Sequence, residues 1–209
     1  GILFLRHARV DANAFIPIQL LRGRGFGQVN AVNFLFGSAA LGFGALVPLY
    51  AELRYGINSL SAGTLLTARA VGMMCLAGLA VLALRRTGYR LPLIVGSIVV
   101  ALGLVMMAIP ARGLSDYSWL ATAATITGLG MGFAVPASNN ASLQLAPTQV
   151  AAITGLRGMF RQSGAILAVS VVTAVLARSS DPGVTLGYAF LFFTAVLLLT
   201  IPLMFRIPD

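Results

Sequence analysis

The chain has 209 residues, 58% of them hydrophobic and only 9% charged, with a mean hydropathy of +0.93. Soluble domains carry about 25% charged residues, so a soluble globular fold is excluded, and the apolar runs are about twice the ~10-residue alternating strands of a membrane barrel. The net charge of +9 comes from arginines in short connections between apolar runs, a pattern of membrane topology rather than of nucleic-acid binding.

Gly1–Leu5 reads as the last turn of an apolar helix already under way. With Gly at the first position and no signal-peptide pattern, the chain is expected to be part of a longer protein. A basic stretch follows, with Arg6, Arg9, Arg22 and Arg24 against the single acid Asp11, and Phe15–Leu21 is a short amphipathic piece containing Pro17. Residues 1–26 are therefore assigned to the end of a preceding helix and a connection on the membrane surface, and residues 27–209 to a transmembrane bundle. Gly23, Gly25 and Gly27 mimic part of a phosphate-binding loop. No strand precedes them and no Lys-Ser/Thr follows, so a nucleotide site is set aside.

Six apolar segments follow, at Gly27–Leu53, Leu60–Leu84, Leu91–Pro110, Tyr117–Ala137, Val150–Ala177 and Thr185–Phe205. Each can cross a ~30 Å hydrocarbon core at ~1.5 Å per residue. The expected fold is all-α, a polytopic membrane protein built as a six-transmembrane-helix bundle. With the N-terminal connection inside, ten arginines fall on the inner side: Arg6, Arg9, Arg22, Arg24, Arg85, Arg86, Arg90, Arg157, Arg161 and Arg206. Only three, Arg54, Arg112 and Arg178, fall outside, each with an acid in the same loop. This bias predicts both ends of the bundle in the cytoplasm. Tyr50, Tyr55, Tyr117, Trp119 and Tyr188 fall at the outer boundary and Tyr89 at the inner one, where aromatic rings suit the headgroup layer.

Glycines recur inside the segments: Gly37, Gly42 and Gly44, then Gly63, Gly72 and Gly78, then Gly128, Gly130 and Gly132. Small residues let membrane helices approach closely. Pro48 and Pro136 are expected to bend their helices. Such bends suit helices that rock, and they also occur in static bundles.

Arg69 is the sharpest polar signal. It lies about nine residues, or ~14 Å, into the second segment, too deep for easy snorkelling. It either faces a substrate or coupling pathway or forms a structural ion pair. Glu52 and a carboxylate outside this chain are the candidate partners. Arg157 and Arg161 are four apart and share one face near the start of the fifth segment, where their charge opposes the helix dipole. Lipid phosphate, positive-inside anchoring or an acid on another loop would offset it, and the pair serves as an anchor or a conformational latch. Asn139, Asn140, Ser142 and Gln144 follow Pro136 and read as the connection to the fifth segment, either a plain polar loop or the inner mouth of a pathway. Asn33 lies deep enough in the first segment to face a pore.

His7 and Cys75 are the only His and Cys, so neither a metal cluster nor a Cys-His or Ser-His protease site can be assembled. No phosphate-loop signature is present, so ATP hydrolysis is not assigned to this chain. No segment carries a buried carboxylate pair for proton coupling.

The stretch Gly128-Leu-Gly-Met-Gly-Phe-Ala-Val-Pro136, then Pro147 with Ala152–Gly155, then Arg161-Gln162-Ser163-Gly164, resembles the C-terminal half of major facilitator superfamily transporters. The resemblance is closest to the fourteen-helix drug:proton antiporters of EmrB/QacA type. Phe15–Phe26 is similar to the family's basic connection before the last six helices. The family's loop signature, Gly-x-Leu-Ala-Asp-Arg-x-Gly-Arg, corresponds here to Val81–Arg90. Arg86, Gly88 and Arg90 fit it, while Val81 replaces the first Gly and Arg85 the acid, so the usual Asp-based latch is unsupported.

The resemblance implies two six-helix bundles with substrate bound between them and alternating access by rocking. It implies an N-terminal six-helix bundle of the same protein as partner, with the coupling acid in that bundle. The expected function is proton-coupled export of drugs or small amphipathic metabolites across the cytoplasmic membrane, with the bilayer, a small-molecule substrate and protons as partners and no cofactor. Arg69, Asn33, Asn139 and Asn140 are the pathway candidates. Gly128, Gly130, Gly132, Pro136, Arg157, Arg161, Gln162 and Gly164 are candidates for the conformational frame or cytoplasmic gate. The alternatives are a non-transporting structural or assembly subunit, and a facilitator for another small solute.

Overall fold

The computed structural model describes residues 26–42, 44–111, 113–144 and 150–205. The connection expected over residues 1–25, together with Pro147 and Arg206, lies outside the described residues. Helix α1 spans Phe26–Phe36 and runs into a π-turn at Gly37–Gly42, and α2 spans Val47–Tyr55. There follow α3 (Ser59–Thr87), α4 (Arg90–Ala108), α5 (Asp116–Gln144), α6 (Val150–Leu176), α7 (Pro182–Leu199) and the short α8 (Ile201–Met204). Among the described residues, five helical stretches are long and apolar enough to cross a membrane: α3, α4, α5, α6, and α7 joined to α8. The chain is an integral membrane protein made of bundled helices.

The first expected segment, Gly27–Leu53, is broken rather than continuous. Gly37, Gly42 and Gly44 weaken the helix there. The break is also a fit to α6. A π-turn closes i→i+5 bonds, which stacks residues five apart. Gly37 and Gly42 have that spacing, and both meet α6: a Cβ on Gly37 would strike the Arg161 carbonyl, and one on Gly42 the Ala165 backbone. Arg161 and Ala165 are four apart, about one α-helical turn. From the other side, a Cβ on Gly164 would strike the Phe34 carbonyl, and Ser38 Oγ donates to the Gly164 carbonyl at 3.0 Å. Pro48 stands in the first turn of α2, where its missing N–H costs no bond, so it starts a helix instead of bending one.

Helix α5 is clamped between α3 and α4. Gly128 and Gly132, one turn apart, press onto the backbone carbonyls of Arg69 and Met73 on α3, and Gly72 of α3 presses back onto the Thr125 carbonyl. Gly130 faces the other way, onto Gly96 and Val100 of α4. Alternate positions on a helix lie on opposite sides, so three glycines at every second residue give α5 two close-packing faces.

Two expectations need correction here. The fourth segment does not end at Ala137, and α5 runs through Pro136 to Gln144. The proline removes only the bond that its N–H would give Gly132, a loss that packed membrane helices tolerate. Asn139 and Asn140 therefore ride on the last turns of α5, not on a connection. Tyr50, expected at the headgroup boundary, is 2% exposed. Its hydroxyl donates to the Met107 carbonyl at 3.0 Å, and its ring meets Phe190 edge-on at 4.7 Å. Trp119 is half-buried, and its indole N–H donates to the carbonyls of Met106 and Ile109 at 2.8 and 3.0 Å. The Met106 carbonyl has lost its helical donor because Pro110 has no N–H. Tyr188 is 68% exposed.

The outer surface is apolar, with Met74 and Leu199 more than 70% exposed, while Asn30, Asn33, Ser97 and Thr127 are buried. That inversion is expected when lipid is the solvent.

Candidate functional site

The polar residues singled out as candidates fall at two levels among the described residues. The first is set by Arg69, ten residues past Ser59 and so about 15 Å along α3. It is half-buried, and its Nη1 donates to the Ala40 carbonyl at 3.4 Å. Its guanidinium packs onto Gly44, leaving no room for a Cβ there. The physical reason is the break. Ala40 stands near the end of the π-turn, where carbonyls lack a helical donor further along, and guanidinium offers five N–H groups in a planar fork. The partner is thus a backbone carbonyl. Among the described residues Arg69 makes no ion pair with Glu52, the acid that the sequence suggested.

Beside this level, a groove of about 410 Å³ opens between the π-turn and α6, lined by Gly42, Ala45, Gln162, Ala165, Ile166, Val169 and Ser170. Gln162, Ile166 and Ser170 recur every four residues, forming one exposed stripe of α6. The lining is apolar apart from an amide and a hydroxyl, a composition that suits amphipathic molecules.

The second level lies nearer the end where α5 stops and α6 starts. Asn33 is 3% exposed, and its Oδ1 accepts from Ser138 Oγ at 3.0 Å, tying α1 to α5. Asn33 is seven residues before Ala40, so this tie lies about 10 Å from the Arg69 contact. Asn139 is half-buried, with an Oδ1 that has no hydrogen-bond partner. Asn140 is exposed, and its amide donates back to the Pro136 carbonyl at 3.0 Å. Arg157 and Arg161 are half-buried, and Arg157 Nη1 and Arg161 Nε are buried without a hydrogen-bond partner.

The expected residues are therefore brought together in small groups. Arg69 sits with Gly128 behind it and the π-turn in front, Arg161 lies against Gly37, Gly164 against Phe34, and Gln162 beside Gly42 in the groove. Arg69 and Asn33 are not in one site. Residue-by-residue reading missed Ser38, Ser138 and Ser170. Ser38 and Ser138 lie one residue from a flagged glycine or asparagine, and a search for hydroxyls flanking such positions would have found them. The five-residue spacing of Gly37 and Gly42 was the available signal for the π-turn.

Residues 29–209 match the family model for the Major Facilitator Superfamily. The chain belongs to that superfamily. Members of that superfamily are membrane transporters and not enzymes. It is also similar to the multidrug transporter protein MdtP of Bacillus subtilis (strain 168), with 24% identity over 169 residues. That alignment covers 79% of this chain and 31% of the Bacillus protein, so the chain spans about a third of its relative.

Proposed function

We propose that the chain is one six-helix bundle of a facilitator that exports drugs or small amphipathic metabolites in exchange for protons. The broken segment of α1, the π-turn and α2 counts as the sixth crossing. The observation that carries the reading is the half-buried Arg69 at mid-depth, beside an apolar groove with two polar side chains. An intramembrane cation without an acid is costly unless it serves a pathway or a partner. The similarity to a multidrug transporter supports the drug-export branch.

In this reading the bundle sits in the cytoplasmic membrane with its α5–α6 end in the cytoplasm, and a second six-helix bundle of the same protein covers α3 and α6. Substrate meets the groove and Arg69. Asn33, Asn139 and Asn140 mark the inner mouth. Gly128, Gly130 and Gly132 let α5 slide against α3 and α4, with Pro136 as its bend. Arg157, Arg161, Gln162 and Gly164 frame the cytoplasmic gate.

The test is full-length protein in liposomes carrying an imposed pH gradient, with efflux of a fluorescent amphipathic cation as readout. Gradient-dependent efflux that Arg69→Ala reduces by roughly tenfold is expected. Uptake, or movement indifferent to the gradient, would replace export with another facilitator function.

A further inference from the structure

We infer that Arg157 and Arg161 hold a phosphate-type oxyanion at the α5–α6 end of the bundle. The inference does not depend on the direction or the coupling of transport. The two side chains are four residues apart on α6 and close enough for their charges to repel. They stand on the packed face of that helix: Gly164, Ala165, Ala168 and Val172, all buried, continue the stripe of Arg161. The Arg161 backbone itself is wedged against Gly37. Two cations are thus held on an inward face, and each keeps a buried nitrogen, Nη1 of Arg157 and Nε of Arg161, with no hydrogen-bond acceptor.

An unpaired buried donor on a charged group is among the most costly features of a packed interior. A pair placed only to bias topology would extend into water, where such donors are satisfied at no cost. Neither arginine forms an ion pair with an acid among the described residues. A single anion between them would satisfy both nitrogens and cancel their mutual repulsion. Guanidinium forks match phosphate geometry, and a tetrahedral oxyanion has enough oxygens to accept from two forks that approach from successive turns. That oxyanion comes either from solution or from an anionic lipid headgroup.

The experiment uses full-length protein in nanodiscs of zwitterionic phosphatidylcholine, titrated with inorganic phosphate by calorimetry. Saturable binding is expected, with affinity lowered roughly tenfold or more in Arg157→Gln and in Arg161→Gln. Arg161→Lys keeps the charge without the fork and is expected to bind more weakly than wild type, which holds the test open if the glutamine variants misfold. Repeating the titration in nanodiscs containing phosphatidylglycerol separates the sources. Suppressed phosphate binding there assigns the site to a headgroup, and unchanged binding assigns it to free phosphate. The inference is overturned if wild type shows no saturable phosphate binding in phosphatidylcholine, if the folded glutamine variants bind as tightly as wild type, or if acetate binds as tightly as phosphate.

Discussion

The guanidinium of Arg69 on α3 donates to the carbonyl of Ala40 inside the π-turn, at 3.4 Å, with Gly44 leaving the space it occupies. One long cation thereby closes a gap in a neighbouring helix. If that contact positions the break, Gly44→Ala should act through Arg69. The new Cβ meets the far end of a flexible side chain, which can swing away, so the fold should survive. Efflux is expected to fall roughly as far as in Arg69→Ala, and the double variant to be no worse than either single one. Additive losses in transport rate would show that the two residues act separately.

The faces of α5 make a stability prediction. Gly128→Ala and Gly132→Ala each drive a methyl group into a backbone carbonyl of α3, which cannot swing away. Each should lower stability by about 1–3 kcal/mol, read as a lower thermal midpoint in detergent. Gly63→Ala and Gly155→Ala meet nothing within 4 Å and are the matched controls, expected to be neutral or mildly stabilising. Equal midpoints for all four would contradict the clamp.

Tyr50→Phe separates a hydrogen bond from a ring contact. The edge-on meeting with Phe190 survives, but the Met107 carbonyl loses its tyrosine donor. A loss of about 1–2 kcal/mol is expected. A boundary role for Tyr50 predicts no loss at all, so unfolding of the single variant decides between a buried strut and a headgroup anchor.

Asn33 and Ser138 should couple in a double-mutant cycle. Their bond crosses from α1 to α5 in a buried place. Asn33→Ala and Ser138→Ala together should cost less than the sum of the two, by about 1 kcal/mol. Simple additivity would mean that the bond contributes nothing.

Much of the fold is legible from apolar run length because lipid leaves the chain few alternatives. Val150–Leu176 is found almost to the residue. The far end of α5 is missed because Asn139, Asn140 and Gln144 have the polarity of a connection, while neighbours in a bundle hold the backbone on both sides of Pro136. The break at Gly37–Gly42 is hidden for another reason. It answers the register of α6, more than a hundred residues away in sequence, and its one local trace is the five-residue spacing of Gly37 and Gly42. Tyr50 is misplaced because the aromatic-belt rule reads height along a helix and ignores which way the ring faces. The depth of Arg69 follows from counting residues, but its partner does not, since a backbone carbonyl has no side-chain signature.

The π-turn also sets a limit on length changes in the chain. A stretch that stacks every fifth residue is an α-helix holding one surplus residue. Deleting a single residue from positions 38–41 would let the stretch relax into an ordinary α-helix, with good local hydrogen bonding throughout. Because the i→i+5 turn absorbs the extra residue in one widened turn, the helical stretches on either side would keep nearly their present phase, and the main loss would be the local fit of Gly37 and Gly42 onto the α6 backbone. The surplus residue therefore works as a local spacer, and a one-residue gap at this point should spare the distant tie between Asn33 and Ser138 while opening the glycine seam with α6.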